Sequence, residues 1–180
     1  MQQARTTAQT LAEAMTAGCV GTRIERLHRL VAREFEKELR PLGLSLPQLE
    51  ILAALTLSGG SVRPATVAEL LAVDRSTMSR NLAALQHRGW VHTTSTSSSG
   101  RSLAVAITPA GTDTLASADH VWRETQRALL ERLGPEAPAV LGSWLATLDH
   151  DVDPSRHRNE PSVTPRADRA ASHGDLTGST

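Results

Sequence analysis

Aromatic residues, cysteine and net charge are all scarce in this 180-residue chain. With three Trp, one Phe and no Tyr, its core must be built from Leu, Val, Ile and Ala, a composition that suits helices. A single cysteine cannot form an internal disulfide, which is typical of a reducing compartment. Lysine plus arginine equals aspartate plus glutamate at 19 each, so the total charge alone gives no sign of a nucleic-acid partner.

Several signals that define other classes of protein are missing as well. The sequence has no run of about 18 apolar residues, and its opening stretch, with Arg5, Gln9 and Glu13, has no apolar signal-peptide core. We therefore expect a cytoplasmic protein with no membrane partner. It has no tight His and Cys spacing for a metal, no Gly-rich phosphate loop and no nucleophile elbow. We expect no enzyme activity, no metal and no cofactor.

Residues 65–85 have the pattern of two short amphipathic helices joined by a tight turn. Asp74 suits the N-cap of the second helix, because its carboxylate can accept the free backbone N–H groups that follow. Apolar residues recur at helical spacing in both helices, which gives each helix an inner side: Val67, Ala68, Leu70 and Leu71 in the first and Met78, Leu82 and Leu85 in the second. The second helix then presents Arg75, Ser76, Ser79, Arg80 and Ala83 outward.

This outward face has the chemistry of a surface that binds double-stranded DNA. Short hydroxyl side chains let a helix lie close to phosphates and base edges, and arginine pairs bidentately with guanine. Residues 63–101 hold five arginines and two acidic residues, a local net charge of +3. Such a local charge binds phosphate even on a neutral chain, because salt screens charges over roughly 10 Å. The alternative is that these side chains only solvate an exposed helix.

A hairpin is predicted directly after the second helix. Gly89 ends the helix, and strands are expected at 90–94 and 103–108, joined by the long polar loop 95–102. A helix pair followed by a hairpin with an extended tip is the plan of a winged helix-turn-helix. Arg101, near the end of the loop, is then a candidate for the minor groove, where the negative potential attracts arginine.

Taken in order, these motifs resemble the multiple-antibiotic-resistance regulator (MarR) family of bacterial transcription factors. The similarity is carried by residues 73–91 (recognition helix and first wing strand), 100–111 (end of the wing and entry to the next helix) and 39–48 (junction of the first two helices). It implies a mainly α fold with a small β-hairpin, in which N- and C-terminal dimerisation helices flank the winged helix-turn-helix. The chain departs from the family at Ser99, where relatives usually carry an aspartate that orients the arginine matching Arg101.

The organisation expected along the chain is a flexible N-terminus at 1–17, the winged-helix domain with its dimerisation helices at 18–150, and a disordered tail at 151–180. The flanking helices begin at Val20 and at Pro109, the second of them unbroken to Leu133, and a last one follows. Their apolar stripes extend past the domain, which favours packing on a second chain. Trp122 and Trp144 are either anchors of that interface or ordinary core residues.

These features predict a DNA-binding transcription regulator, a homodimeric repressor released from a pseudo-palindromic operator by a small effector. The DNA-binding candidates are Arg75, Ser76, Thr77, Ser79, Arg80 and Arg101. One alternative is redox sensing through Cys19, at the start of a helix whose dipole favours the thiolate, although the hydroperoxide sensors it resembles use tyrosines that this chain lacks. The other is a winged-helix module that binds a protein and does not read DNA.

Overall fold

The fold is mainly α-helical with one small β-hairpin, as the sequence predicts. A computed structural model describes residues 2–95 and 103–149, and the chain divides after Pro135 into two units. The predicted tail at 151–180 and the tip of the predicted wing lie outside the described residues. The elements are α1 Gln2–Gly18, α2 Val20–Leu39, a 3-10 turn Arg40–Leu42, α3 Leu46–Leu57, α4 Pro64–Leu70, α5 Arg75–His87, β1 Val91–Ser95, β2 Leu103–Ile107, α6 Pro109–Ser117, α7 Asp119–Leu133 and α8 Ala137–Asp149.

The first helix differs from the sequence prediction, which expected a flexible segment at 1–17. Residues Gln2–Gly18 are helical, and none of them is buried. Alanine and other good helix formers dominate this stretch. The helix is therefore supported by the helix propensity of its residues rather than by packing in a core.

Helix α3 lies at the centre of the core, and its start is fixed by a capping box. Ser45 Oγ accepts from the Gln48 backbone N–H, and Gln48 Oε1 accepts from the Ser45 backbone N–H at 3.2 Å. The buried residues of α3 are Leu49, Ile51, Leu52, Ala54 and Leu55. Before it, α2 ends at Leu39, and Gly43 takes the left-handed conformation with φ 68°, which glycine adopts without a steric clash of a Cβ.

The hairpin is antiparallel and pairs Val91 with Ile107 and Ser95 with Leu103. A further bridge, absent from the sequence prediction, joins Val62 to Val105 through two backbone hydrogen bonds of 3.0 and 2.8 Å. Val62 lies two residues before the first residue of α4, Pro64, so this bridge ties the start of the helix pair to the hairpin. The position of α4 and α5 relative to the base of the wing is thereby set by backbone contacts.

The helix predicted to run unbroken from Pro109 to Leu133 is two helices. Ala118 separates α6 from α7; its N–H donates to Leu115 at 3.1 Å, a bond of the tighter 3-10 kind, and its side chain is buried. Helix α7 packs on α2, where Arg132 and Glu34 form an ion pair at 3.2 Å. Ala118 therefore lies in the core at the junction of the two helices.

The second unit contributes one described helix, α8. Its apolar residues Val140, Leu141, Trp144, Leu145 and Leu148 are all exposed. Within the described ranges, no helix is long and apolar enough to cross a membrane.

Candidate nucleic-acid interface

Helix α5 begins and ends where the sequence predicts. Asp74 is its N-cap and accepts a hydrogen bond from the Thr77 backbone N–H at 2.8 Å. The helix ends at His87, and Gly89 takes φ 71° because the chain must turn sharply into β1. Both ends of the candidate DNA-reading helix are therefore fixed by short-range signals.

The two faces of α5 are clearly distinct. Met78, Leu82 and Leu85 are buried, with Leu85 at 0% exposure. The predicted outward residues Arg75, Ser76, Ser79, Arg80 and Ala83 are all exposed. Thr77, the remaining helical candidate, is half-buried at the edge of this face. The structure thus brings five of the six candidate DNA-binding residues onto or beside one surface.

The carboxylate of Asp74 organises the hydroxyl groups at the start of α5. Ser76 Oγ donates to Oδ1 at 2.6 Å, and Thr77 Oγ1 donates to Oδ2 at 2.7 Å. The Ser76 hydroxyl, followed by the Thr77 N–H and hydroxyl, holds the pKa of the Asp74 carboxyl well below its usual range. Asp74 is therefore ionised at neutral pH, and both hydroxyl hydrogens point to it.

Arg80 also belongs to the polar cluster that Asp74, Ser76 and Thr77 form at the start of α5. Its Nη2 donates to Thr77 Oγ1 at 3.2 Å. Across residues 2–95 and 103–149, neither Arg75 nor Arg80 forms an ion pair with a carboxylate. Both positive charges are therefore available to an anionic partner.

Arg88, one of the five arginines in residues 63–101, contacts side chains and backbone of its own chain. The Arg88 guanidinium lies over the Trp90 ring, 4.7 Å from its centroid, and close beside Gly43. Thr108 adds a second link at this point, since its hydroxyl donates to the Gly89 carbonyl at 2.7 Å. The end of α5 is thus joined to the start of α6. The adjacent Arg-Gly-Trp in the sequence is the only signal for this contact.

The predicted wing is described only at its base. Ser95 and Leu103 are paired across the hairpin and form its last described pair before the predicted loop. Arg101 lies outside the described residues, and its contact with a minor groove stays a prediction.

Cys19 is the N-cap residue of α2 and is partly exposed. Hydrogen bonds from the side chain and backbone of Thr22 lower the pKa of its thiol. A redox role for Cys19 stays a prediction. In the part of the chain that the structure describes, no three His, Cys, Asp or Glu residues are grouped to hold a metal ion.

Comparison with known proteins points to one family. Residues 42–102, which run from the turn after α2 to the start of β2, match the model of the MarR family. A comparison with curated protein sequences gives no match.

Solved structures share the fold over about three quarters of the chain. The transcriptional repressor CouR, bound to a 23-mer DNA duplex, is 26% identical with a TM-score of 0.65, covering 75% of this chain and 95% of that one. The transcriptional regulator MosR of M. tuberculosis is 23% identical with a TM-score of 0.65, covering 74% and 98%. A mutant of MarR from E. coli, complexed with operator DNA, is 20% identical with a TM-score of 0.65, covering 75% and 96%.

Proposed function

We propose that this chain is a transcription regulator with a MarR-family winged-helix domain and that it binds double-stranded DNA as a homodimer. It acts as a repressor, and a small effector releases it from its operator. Helix α5 enters the major groove, and Arg101 of the wing enters the adjacent minor groove.

The observation that carries the proposal is the exposed face of α5. Arg75, Ser76, Ser79 and Arg80 are exposed on a helix whose opposite side is anchored in the core by Met78, Leu82 and Leu85. A helix fixed on one side, with small hydroxyls and two guanidinium groups that pair with no carboxylate of the described residues on the other, fits a groove about 12 Å wide. CouR, a similar protein, is bound to a DNA duplex in its structure.

The homodimer is supported by apolar side chains that a single chain leaves in water. On α2 these are Val20 at 69% and Ile24 at 47% exposure, and on α7 Trp122 at 41%. On α8, Trp144 is 54% exposed. Large apolar side chains left exposed favour a protein interface, and a two-fold pair of chains predicts a pseudo-palindromic site. Both tryptophans are thus candidate interface anchors rather than core residues of one chain.

An effector site is supported by an open cavity of about 610 Å³ between α2 and α7. Cavities of roughly 300–1,000 Å³ hold small molecules. Glu34 and Lys37 line it from α2, and His120, Thr125 and Arg132 line it from α7. A ligand here changes DNA affinity only if it binds better to one arrangement of the two recognition helices than to the other.

The test is to select bound fragments of the genome with the purified chain and to measure their affinity for Arg80→Ala. Loss of one bidentate arginine contact costs about 1–3 kcal/mol of base discrimination at each half-site. Arg33→Ala, which removes an exposed arginine from α2, is the matched control and should retain sequence selectivity. If no sequence is enriched, or if Arg80→Ala binds the selected duplex unchanged, this assignment of α5 is wrong. The protein-binding module is then the better interpretation.

A further inference from the structure

We propose that the Thr77 hydroxyl, oriented by Asp74, positions the Arg80 guanidinium and thereby sets how strictly the protein discriminates guanine at the base pair that Arg80 reads. This inference rests on the proposed function. It gives Thr77 the role of a positioning residue, acting through Arg80, rather than that of a group that contacts DNA.

The geometry is a chain of two hydrogen bonds along one edge of α5. Thr77 Oγ1 donates to Asp74 Oδ2 at 2.7 Å and accepts from Arg80 Nη2 at 3.2 Å. Residues three apart on a helix lie next to each other on its surface, so Asp74, Thr77 and Arg80 follow one another along this edge. The backbone N–H of Thr77 also donates to Asp74, which fixes the residue at its main chain as well.

The direction of each hydrogen bond follows from the donors available. A hydroxyl has one hydrogen, and an ionised carboxylate only accepts, so the Thr77 hydrogen is committed to Asp74. Its lone pairs then point away from Asp74, where a guanidinium, which only donates, can use them. Thr77 is therefore an acceptor aimed at Arg80.

Holding Arg80 in place bears directly on base recognition. Arginine has five N–H donors in a rigid fork, so one bond to Thr77 leaves others for the O6 and N7 atoms of guanine. An arginine that is already placed loses less side-chain freedom when it binds. A loosely held arginine reaches phosphates and other bases more readily, and discriminates less.

Thr114 provides a matched control outside the proposed DNA-binding face. It is a half-buried threonine on α6, and its hydroxyl donates to the Ala110 carbonyl at 2.8 Å. Thr114→Val therefore makes the same chemical change as Thr77→Val at a helical hydroxyl that lies outside the contact between Thr77 and Arg80.

The experiment is a double-mutant cycle on the duplex selected by the wild-type protein, with Thr77→Val, Arg80→Ala and the double variant. A second duplex has the guanine pair read by Arg80 replaced, this pair being the one at which Arg80→Ala loses discrimination. Thermal unfolding of each variant confirms that the comparison is made on folded protein. Thr77→Ser, which keeps the hydroxyl, and Thr114→Val complete the set.

We expect Thr77→Val to weaken binding by about two- to tenfold, the range for ordering one arginine side chain, and to reduce discrimination at that base pair alone. In the Arg80→Ala background the same change should have no effect, and Thr77→Ser should restore discrimination. Thr114→Val should leave discrimination at that pair intact. Equal losses from Thr77→Val with and without Arg80 would show that Thr77 contacts DNA itself, and would overturn the inference while leaving the proposed function in place.

Discussion

The winged-helix core and the terminal helices bury their apolar residues very differently. In the core, Leu52, Leu55, Leu85 and Val105 are at most 1% exposed. In α1 no residue is buried, and in α8 every apolar side chain larger than alanine that the structure describes is exposed. The region proposed to read DNA therefore closes its own core. The terminal helices leave their apolar residues exposed, where a second protein surface can cover them.

Helix α2, which has 20 residues, has exposed apolar residues at its start and buried ones at its end. At its start Val20 is 69% exposed, whereas at its end Phe35 and Leu39 are 5% and 0% exposed. One regular apolar stripe thus serves the core at one end and projects beyond it at the other. A stripe longer than its own domain is the feature from which the sequence predicts a dimer.

The largest loss of stability should come from creating a cavity in the core. Leu85→Ala removes a fully buried side chain of α5, and such changes cost about 2–5 kcal/mol through lost burial and the cavity left behind. Urea unfolding of dilute protein measures this loss. Leu145→Ala, at a side chain that is 62% exposed on α8, should change the unfolding free energy of the single chain by no more than about 0.5 kcal/mol. Equal losses from both would abolish the contrast between the two regions.

The next effect should appear in association rather than in folding. Trp122 of α7 is 41% exposed, and a tryptophan at the centre of an interface contributes about 2 kcal/mol or more. Trp122→Ala should therefore weaken the dimer roughly 30-fold. Sedimentation of a dilution series measures the dissociation constant. Asp113→Ala, an exposed change on α6, should leave it unchanged. A dimer insensitive to Trp122 would place the interface elsewhere.

Replacing glycine by alanine should lower stability at Gly111 and raise it at Gly142. A Cβ at Gly111 would overlap the Trp90 carbonyl oxygen and lie 2.8 Å from Ile107 Cγ1. Gly111→Ala should cost about 1–3 kcal/mol, because rigid backbone cannot yield. Gly142, inside α8, has nothing within 4 Å of a Cβ, and Gly142→Ala should stabilise that helix by about 0.5–1 kcal/mol. Thermal unfolding measures the first change, and helix content by circular dichroism the second. A stable Gly111→Ala protein would contradict the close contact between α6 and Trp90.

The smallest effect concerns the turn between α4 and α5. Ala72 takes φ 50°, a left-handed conformation that costs a residue with a side chain about 1 kcal/mol. Ala72→Gly should therefore stabilise the core slightly, raising the melting temperature by a few degrees. Ala83→Gly, in the exposed interior of α5, should lower it by a similar amount. A lower melting temperature for Ala72→Gly would show that the turn is not strained.

Features set by neighbours in the sequence could be predicted, and those set by distant contacts could not. The N-cap at Asp74, the turn at Gly89 and the start of α6 after Thr108 are confirmed because each depends on residues within about three positions. The helix at Gln2–Gly18 was missed because it lacks a buried stripe. The break at Ala118 and the bridge from Val62 to Val105 depend on packing that no local pattern contains.

The candidate site follows the same rule. Helical spacing predicts which side of α5 is exposed, and the structure confirms that division. It does not predict that the hydroxyls of Ser76 and Thr77 turn toward Asp74, because several rotamers fit the same backbone. Nor does charge alone show that Arg88 lies over Trp90 while Arg80 remains unpaired with any described carboxylate.

The most direct test of the central claim, that the exposed face of α5 lies in the major groove, is methylation interference at guanine N7 on the selected duplex. The N7 atom lies in the major groove, where arginine binds it. We predict interference in two half-sites about one helical turn apart, and loss of the signal at one guanine in each half-site for Arg80→Ala. Tight, sequence-selective binding without interference at any guanine N7, or with a pattern unchanged by Arg80→Ala, would contradict the account.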